Sequence, residues 1–158
     1  VGDRRDTLQR LVGLFKFERA KAGYIELADL LLERLPQLPP ETVIVPVPTV
    51  RSHVRQRGYD HTALIARYIA EARKLTYQPM IERKTSTVQR GASARLRKKQ
   101  ADQAFSLDET KIIAGRPYLV VDDVTTTGAT LIATTKLLRK AGVKDVWAAV
   151  IARQALDQ

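Results

Sequence analysis

Apolar positions along this chain recur with two periods. From residue 3 to about 35 the spacing is helical: Leu8, Leu11, Val12 and Phe15 form one stripe, and Tyr24, Leu27, Ala28, Leu31, Leu32 and Leu35 continue it. Gly23 divides the run into two helices, and Pro36, Pro39 and Pro40 end it. The period then changes. Thr42 to Pro48 is a short β-branched run bounded by prolines, which predicts a strand leading into a rigid loop. That loop, Thr49 to Gly58, carries Arg51, Arg55 and Arg57. Helical spacing returns with Leu64, Ile65, Tyr68, Ile69 and Ala72, capped by Asp60 or Thr62. Residues 78–83 form a weaker strand candidate, and Lys111 to Ile113 a short one.

The last third is the most legible. Tyr118-Leu119-Val120-Val121 is a buried-strand run, and it ends in Asp122-Asp123. A threonine-rich turn with Gly128 follows, and Leu131, Thr134, Thr135, Leu138 and Ala141 then mark a helix closed by Gly142. Asp145 to Ile151 is the last strand. Strands alternating with helices predict an α/β fold: an open, mainly parallel twisted sheet of about five strands flanked by helices. The expected organisation is one domain over residues 1–158. A helical segment at 1–40 precedes an α/β core at 41–158, which contains a flexible basic loop near 84–104.

The strand, the acidic pair, the hydroxyl-rich turn and the helix together describe a sugar-phosphate site. Ligands of such sheets lie beyond the carboxyl ends of the strands. A helix opening near Gly128 aims unpaired amides and the positive end of its dipole at the turn, which suits a phosphate. The hydroxyls of Thr125, Thr126, Thr127 and Thr130 add donors, and Asp122 and Asp123 accept from vicinal hydroxyls directly or through a divalent ion. Other phosphate cradles are absent: no Gly-x-Gly pair occurs, and Lys84-Thr85 lacks the glycine frame of a P-loop. His53 and His61, eight positions apart and without cysteine, make no zinc site.

Composition sharpens this. The 158 residues are 44% hydrophobic and 28% charged, as in ordinary soluble domains. No run is long enough to span a membrane and no signal peptide opens the chain, so a cytoplasmic location is expected. The absence of cysteine excludes disulfides and thiolate metal sites and fits a reducing compartment. A net charge of +10 favours polyanionic partners. From Arg83 to Gln100 there are seven basic residues (Arg83, Lys84, Arg90, Arg95, Arg97, Lys98, Lys99) and no acidic one.

The string from Tyr118 to Thr130 resembles the phosphoribosyl-pyrophosphate signature of the type I phosphoribosyltransferases. Further matches narrow the resemblance to the ComF-type competence branch. These are Val45-Pro46-Val47-Pro48, Arg57-Gly58-Tyr59-Asp60-His61, Arg83 with Thr87 and Gln89, Arg97, and Ala104-Phe105. The match runs from about Leu14 to Arg153. The chain departs from that branch where Arg-Gly-Phe-Asn-Gln is usual, and at Asp102-Gln103, where Asn and Gly are usual. Many members begin with a cysteine-rich zinc-binding segment, here trimmed away or truly absent.

The resemblance implies a ligand, phosphoribosyl pyrophosphate or another ribose-5-phosphate compound, with Mg²⁺ as cofactor. Asp122 and Asp123 would hold ribose hydroxyls and the metal. Thr125, Thr126, Thr127, Gly128, Ala129 and Thr130 would hold the 5′-phosphate, and Arg51 and Ser52 the pyrophosphate. Arg83 and Arg97, with Arg90 and Arg95 as alternatives, would stabilise the leaving group from a closing basic loop. The implied reaction is transfer of phosphoribosyl to a nitrogen acceptor. The N-terminal helices are the candidate hood for that acceptor, and no general base is identified. Two other readings stay open: a competence factor that tracks single-stranded DNA with the basic loop, and a non-catalytic phosphoribosyl pyrophosphate sensor. A homodimer or a competence-machinery partner accompanies these readings.

Overall fold

The computed structural model describes residues 2–3, 23–84 and 104–154, the first two by their backbone. In chain order the elements are β1 (Gly2–Asp3), α1 (Tyr24–Leu32), β2 (Val43–Pro46), α2 (Arg51–Arg57), α3 (His61–Ala72), β3 (Thr76–Tyr77), β4 (Ile81–Arg83), β5 (Phe105–Leu107), a 3₁₀ turn (Glu109–Lys111), β6 (Tyr118–Thr125), α4 (Ala129–Lys140) and β7 (Val146–Arg153). Five strands form one sheet in the order β1-β7-β6-β2-β3, and every neighbouring pair is parallel. The expected open parallel α/β sheet is therefore observed.

The continuous apolar runs become strands because both of their faces are covered. On one face Ile44, Leu119, Val121 and Ile151 pack against Leu27 and Leu31 of α1 and Ile65 and Ile69 of α3. On the other, Val43, Val45, Tyr118 and Val120 meet Ala133 and Leu138 of α4, together with Met80, Ile81 and Phe105. Each large side chain buried this way contributes about 1.5–3 kcal/mol. Three layers result: helices, sheet, helix and ribbon. The ribbon is β4 with β5, an antiparallel pair outside the main sheet.

Helix ends follow the local chemistry. Gly23 is the N-cap of α1, and the helix stops before Pro36. The Arg73 guanidinium donates to the Leu32 carbonyl at 2.9 Å, satisfying the end of α1 from the end of α3. At the end of α4, Gly142 has φ 90°. Its N–H donates to the Arg139 carbonyl and the Val143 N–H to the Leu138 carbonyl, closing a Schellman motif.

Several sequence expectations are corrected. The stretch after β2 is not a loop throughout: Arg51–Arg57 forms a seven-residue helix, ended by Gly58 at φ 83°. None of its residues is buried, so no apolar stripe announced it. Lys111 to Ile113 is not a strand. The Asp108 side chain accepts from the Thr110 N–H and caps the 3₁₀ turn. The Ile113 N–H donates to the hydroxyl of buried Tyr118 at 2.9 Å instead of to a ladder. Asp3 lies in an edge strand rather than in the expected helix, because its backbone pairs with Arg153. The short strands β3 and β5 had no periodic signal of their own. α1 packs beside α3 and β7 as part of the helical layer, with Tyr24 and Tyr68 in edge contact at 6.1 Å. The segment expected to continue it, residues 4–22, lies outside the described residues.

Candidate functional site

The strand order locates the site. The chain leaves β2 toward β3 and leaves β6 toward β7, in opposite directions along the sheet. The crevice between the carboxyl ends of β2 and β6 is thus a topological switch point, where such sheets bind ligands. Pro46 pairs with Val121, and the Val47 N–H donates to the Val121 carbonyl at 2.8 Å. The segment after β2 is thereby carried alongside Asp122 and Asp123.

A cleft of about 690 Å³ opens there. Asp122 and Asp123 lie on its floor. Val47 to Val50 form one wall, with His53, Gln56 and Arg57 of α2, and His61, Thr62, Arg83, Val124 and Thr130 complete the lining. The acidic pair belongs to β6 itself rather than to the turn after it. Successive strand residues face opposite sides, so Asp122 points with Val120 and Asp123 with Val121. Both carboxylates are largely shielded, at 8% and 9% exposure. Asp122 accepts from the Asp123 N–H at 2.8 Å, and Asp123 from the Val124 N–H at 2.7 Å.

Each carboxylate has a different basic neighbour. Arg83 lies close enough to Asp122 to feel its charge. Burial pushes the guanidinium pKa below the usual arginine value, and Asp122 opposes that shift. Arg83 is also seated over the Phe105 ring, 5.1 Å from its centroid, which fixes it at the end of the ribbon. Asp123 instead meets His61: Nε2 of the ring lies 2.5 Å from Oδ2. The pair is buried and 62 positions apart in the chain.

Beyond the acidic pair, Thr126 and Thr127 are exposed and Gly128 is the N-cap of α4, at φ 75°. Thr127 Oγ1 accepts from the Ala129 N–H at 3.3 Å. The glycine offers no side chain to the next amides of the helix, which leaves the positive helix end open to an anion.

The predicted residues separate into groups. Asp122, Asp123, Arg83 and Thr130 line one cleft. Thr125 ends β6, Thr126, Thr127 and Gly128 form the turn after it, and Ala129 opens α4. Arg51 and Ser52 line a neighbouring cleft of about 380 Å³ with Arg55, Lys84 and Ser106, and Arg83 and Val50 are shared between the two. Arg97, with Arg90 and Arg95, lies outside the described residues. The ends of that basic stretch are held together by β4 and β5, and the Lys84 N–H donates to the Ala104 carbonyl at 2.8 Å. His53, Gln56, Arg57 and His61 were not among the expected ligand contacts, although Arg57 and His61 lie in a motif shared with the ComF-type branch.

Among the described residues no group of three or more His, Cys, Asp or Glu could hold a metal. The two carboxylates suit a hard cation that arrives with phosphate oxygens and keeps its waters, as Mg²⁺ does, and do not form a closed protein cage. No helix among the described residues is long and apolar enough to cross a membrane.

Comparison with known proteins identifies the family and the fold. The family model described as phosphoribosyl transferase domain matches residues 62–157. Competence protein F of Haemophilus influenzae is 33% identical over 155 residues, covering 92% of this chain and 68% of that protein. DNA utilization protein YhgH of Salmonella typhimurium is 32% identical over 156 residues, covering 92% and 67%. Among solved structures, adenine phosphoribosyltransferase from Saccharomyces cerevisiae superposes with a TM-score of 0.55 at 16% identity, covering 85% of this chain and 70% of that one. Glutamine phosphoribosylpyrophosphate amidotransferase from B. subtilis gives 0.55 at 20% identity, covering 84% and 26%. At such identities these two likenesses speak to the fold.

Proposed function

The chain belongs to the phosphoribosyl transferase domain family, in the branch of Competence protein F, and from that premise we propose that its main cleft binds phosphoribosyl pyrophosphate with Mg²⁺. The observation that carries this reading is the meeting, at the switch point, of two shielded carboxylates with the uncapped start of α4. Asp122 and Asp123 accept from the ribose 2′- and 3′-hydroxyls. The turn from Thr125 to Thr130 takes the 5′-phosphate on its amides and hydroxyls. Arg83, at the mouth of both clefts, faces the diphosphate. When bound, Mg²⁺ neutralises diphosphate charge, held by the two aspartates and phosphate oxygens.

Transfer follows if a nitrogen nucleophile reaches C1: its lone pair forms the N–C1 bond, the C1–O bond breaks, and pyrophosphate leaves. Calorimetry with phosphoribosyl pyrophosphate and Mg²⁺ tests the binding. The wild type is expected to bind, and Asp122→Asn with Asp123→Asn to lose at least about tenfold in affinity, the value of charge-assisted hydrogen bonds. A wild type that does not bind sinks the reading. Pyrophosphate release across a panel of nucleobases and ammonia then separates a transferase from a sensor, which binds without release.

A second reading rests on the neighbouring cleft, where Arg51, Arg55, Arg83 and Lys84 outnumber the single carboxylate of Glu82. Two similar proteins carry names for competence and DNA utilization. On this reading the cationic cleft follows the phosphates of single-stranded DNA, beside the sugar-phosphate site.

A further inference from the structure

The side chain left unexplained is His61. It is the first residue of α3, yet it is only 3% exposed and is turned toward the carboxyl end of β6. One ring nitrogen, Nδ1, lies 3.2 Å from NH1 of Arg57, and the other, Nε2, lies 2.5 Å from Oδ2 of Asp123. The chemistry of the three groups leaves one assignment. A guanidinium has only donors, so Nδ1 of the ring must accept. The proton of the neutral ring then sits on Nε2 and is donated to the Asp123 carboxylate. The second oxygen of that carboxylate, Oδ1, accepts from the Val124 N–H. Asp123 is thereby held at both oxygens, and it lines the cleft.

We infer that His61 is a positioning residue for Asp123, with its tautomer set by Arg57 and Asp123 together, and that it aims the carboxylate at a ligand hydroxyl. The inference rests on the sugar-phosphate reading of the cleft. It adds a relay, Arg57 to His61 to Asp123, that reaches from the end of α2 through the start of α3 to the floor of the cleft. The preceding residue does the matching task on the other wall. The Asp60 carboxylate accepts from the Thr49 N–H at 3.2 Å, from the Thr49 hydroxyl at 2.9 Å and from the Ala63 N–H at 3.1 Å. Two adjacent side chains at one helix start thus tie the segment after β2 and the carboxylate on β6 to the same point. A histidine that merely filled space would need neither a donor on one nitrogen nor a carboxylate on the other.

The test has two parts. The chain has only two histidines, so His53→Gln assigns the ring signals. In the free protein at neutral pH, nitrogen-15 spectra should show a pyrrole-type Nε2 and a pyridine-type Nδ1 for His61. In Arg57→Met the Nδ1 signal should shift as that nitrogen loses its donor, while Nε2 stays pyrrole-type against Asp123. An Nδ1-protonated ring in the wild type, or a ring unaffected by Arg57→Met, overturns the relay.

The second part is binding of phosphoribosyl pyrophosphate with Mg²⁺. His61→Leu keeps the bulk and loses the donor, and should weaken binding roughly ten- to a hundredfold, as loss of a hydrogen bond to a charged group does. His61→Gln places an amide donor at similar reach and should restore most of it. Unchanged binding in His61→Leu, or no restoration by glutamine, overturns the positioning role. If His61→Leu does not fold, the comparison of His61→Gln with Arg57→Met and the ring spectra decides. If the wild type itself does not bind, the ligand reading fails, and the tautomer alone upholds or overturns the relay.

Discussion

Asp122 and Asp123 are adjacent in the chain but differ in surroundings, because strand residues alternate in direction. One reaches Arg83 and the other His61. Gly128 is the other residue that shapes the site. Its φ of 75° lies where a side chain is unfavourable, although a methyl there would meet nothing nearer than Ile132 Cδ1 at 4.0 Å. The cost of Gly128→Ala is therefore conformational and not steric, about 1–2 kcal/mol. A denaturant titration should show a lower midpoint with an unchanged slope, and an unchanged midpoint would show that the turn tolerates a side chain. At this scale the acidic pair, the threonines and Gly128 were legible because they lie within one continuous stretch. His61 and Arg57 were visible as part of a shared motif but their task was not, since it comes from Asp123, 62 positions from His61.

At the scale of elements, the two runs buried on both faces were readable as β2 and β6, and the stripes of α3 and α4 as helices. α2 was not. It is short, has no buried residue, and is defined by Gly58 at one end and by the tie of Thr49 to Asp60 at the other. That tie predicts a linked effect. Asp60→Ala removes the N-cap of α3 and also releases the segment after β2, at a cost of about 1–2 kcal/mol. Hydrogen exchange should accelerate at Thr49 as well as at Ala63. Acceleration at Ala63 alone would mean that the wall of the cleft is held by something other than Asp60.

For the whole molecule, charge and topology act together. The net charge of +10 says only that a polyanion is attracted. The fold concentrates that charge, because α2 stands between two clefts with Arg57 facing the first and Arg51 and Arg55 the second. If the second cleft follows DNA, the affinity for a fluorescent single strand should fall steeply with salt, by a log–log slope of about −0.7 for each phosphate neutralised. Changing Arg51 and Arg55 together to alanine should make that slope shallower by roughly one unit or more. An affinity indifferent to salt, or a slope the double variant does not change, would remove the nucleic-acid reading. By itself the sequence determined the α/β class, the strand that carries the acidic pair and the helix that starts at Gly128, because each is written in local periodicity and turn chemistry. Only the tertiary structure decided that Arg51 and Ser52 lie in a cleft beside that of Asp122 and Asp123, that the ribbon brings Arg83 to both, and that His61 holds Asp123. Those relations join positions far apart in the chain, and the packing of helices on a parallel sheet brings them together.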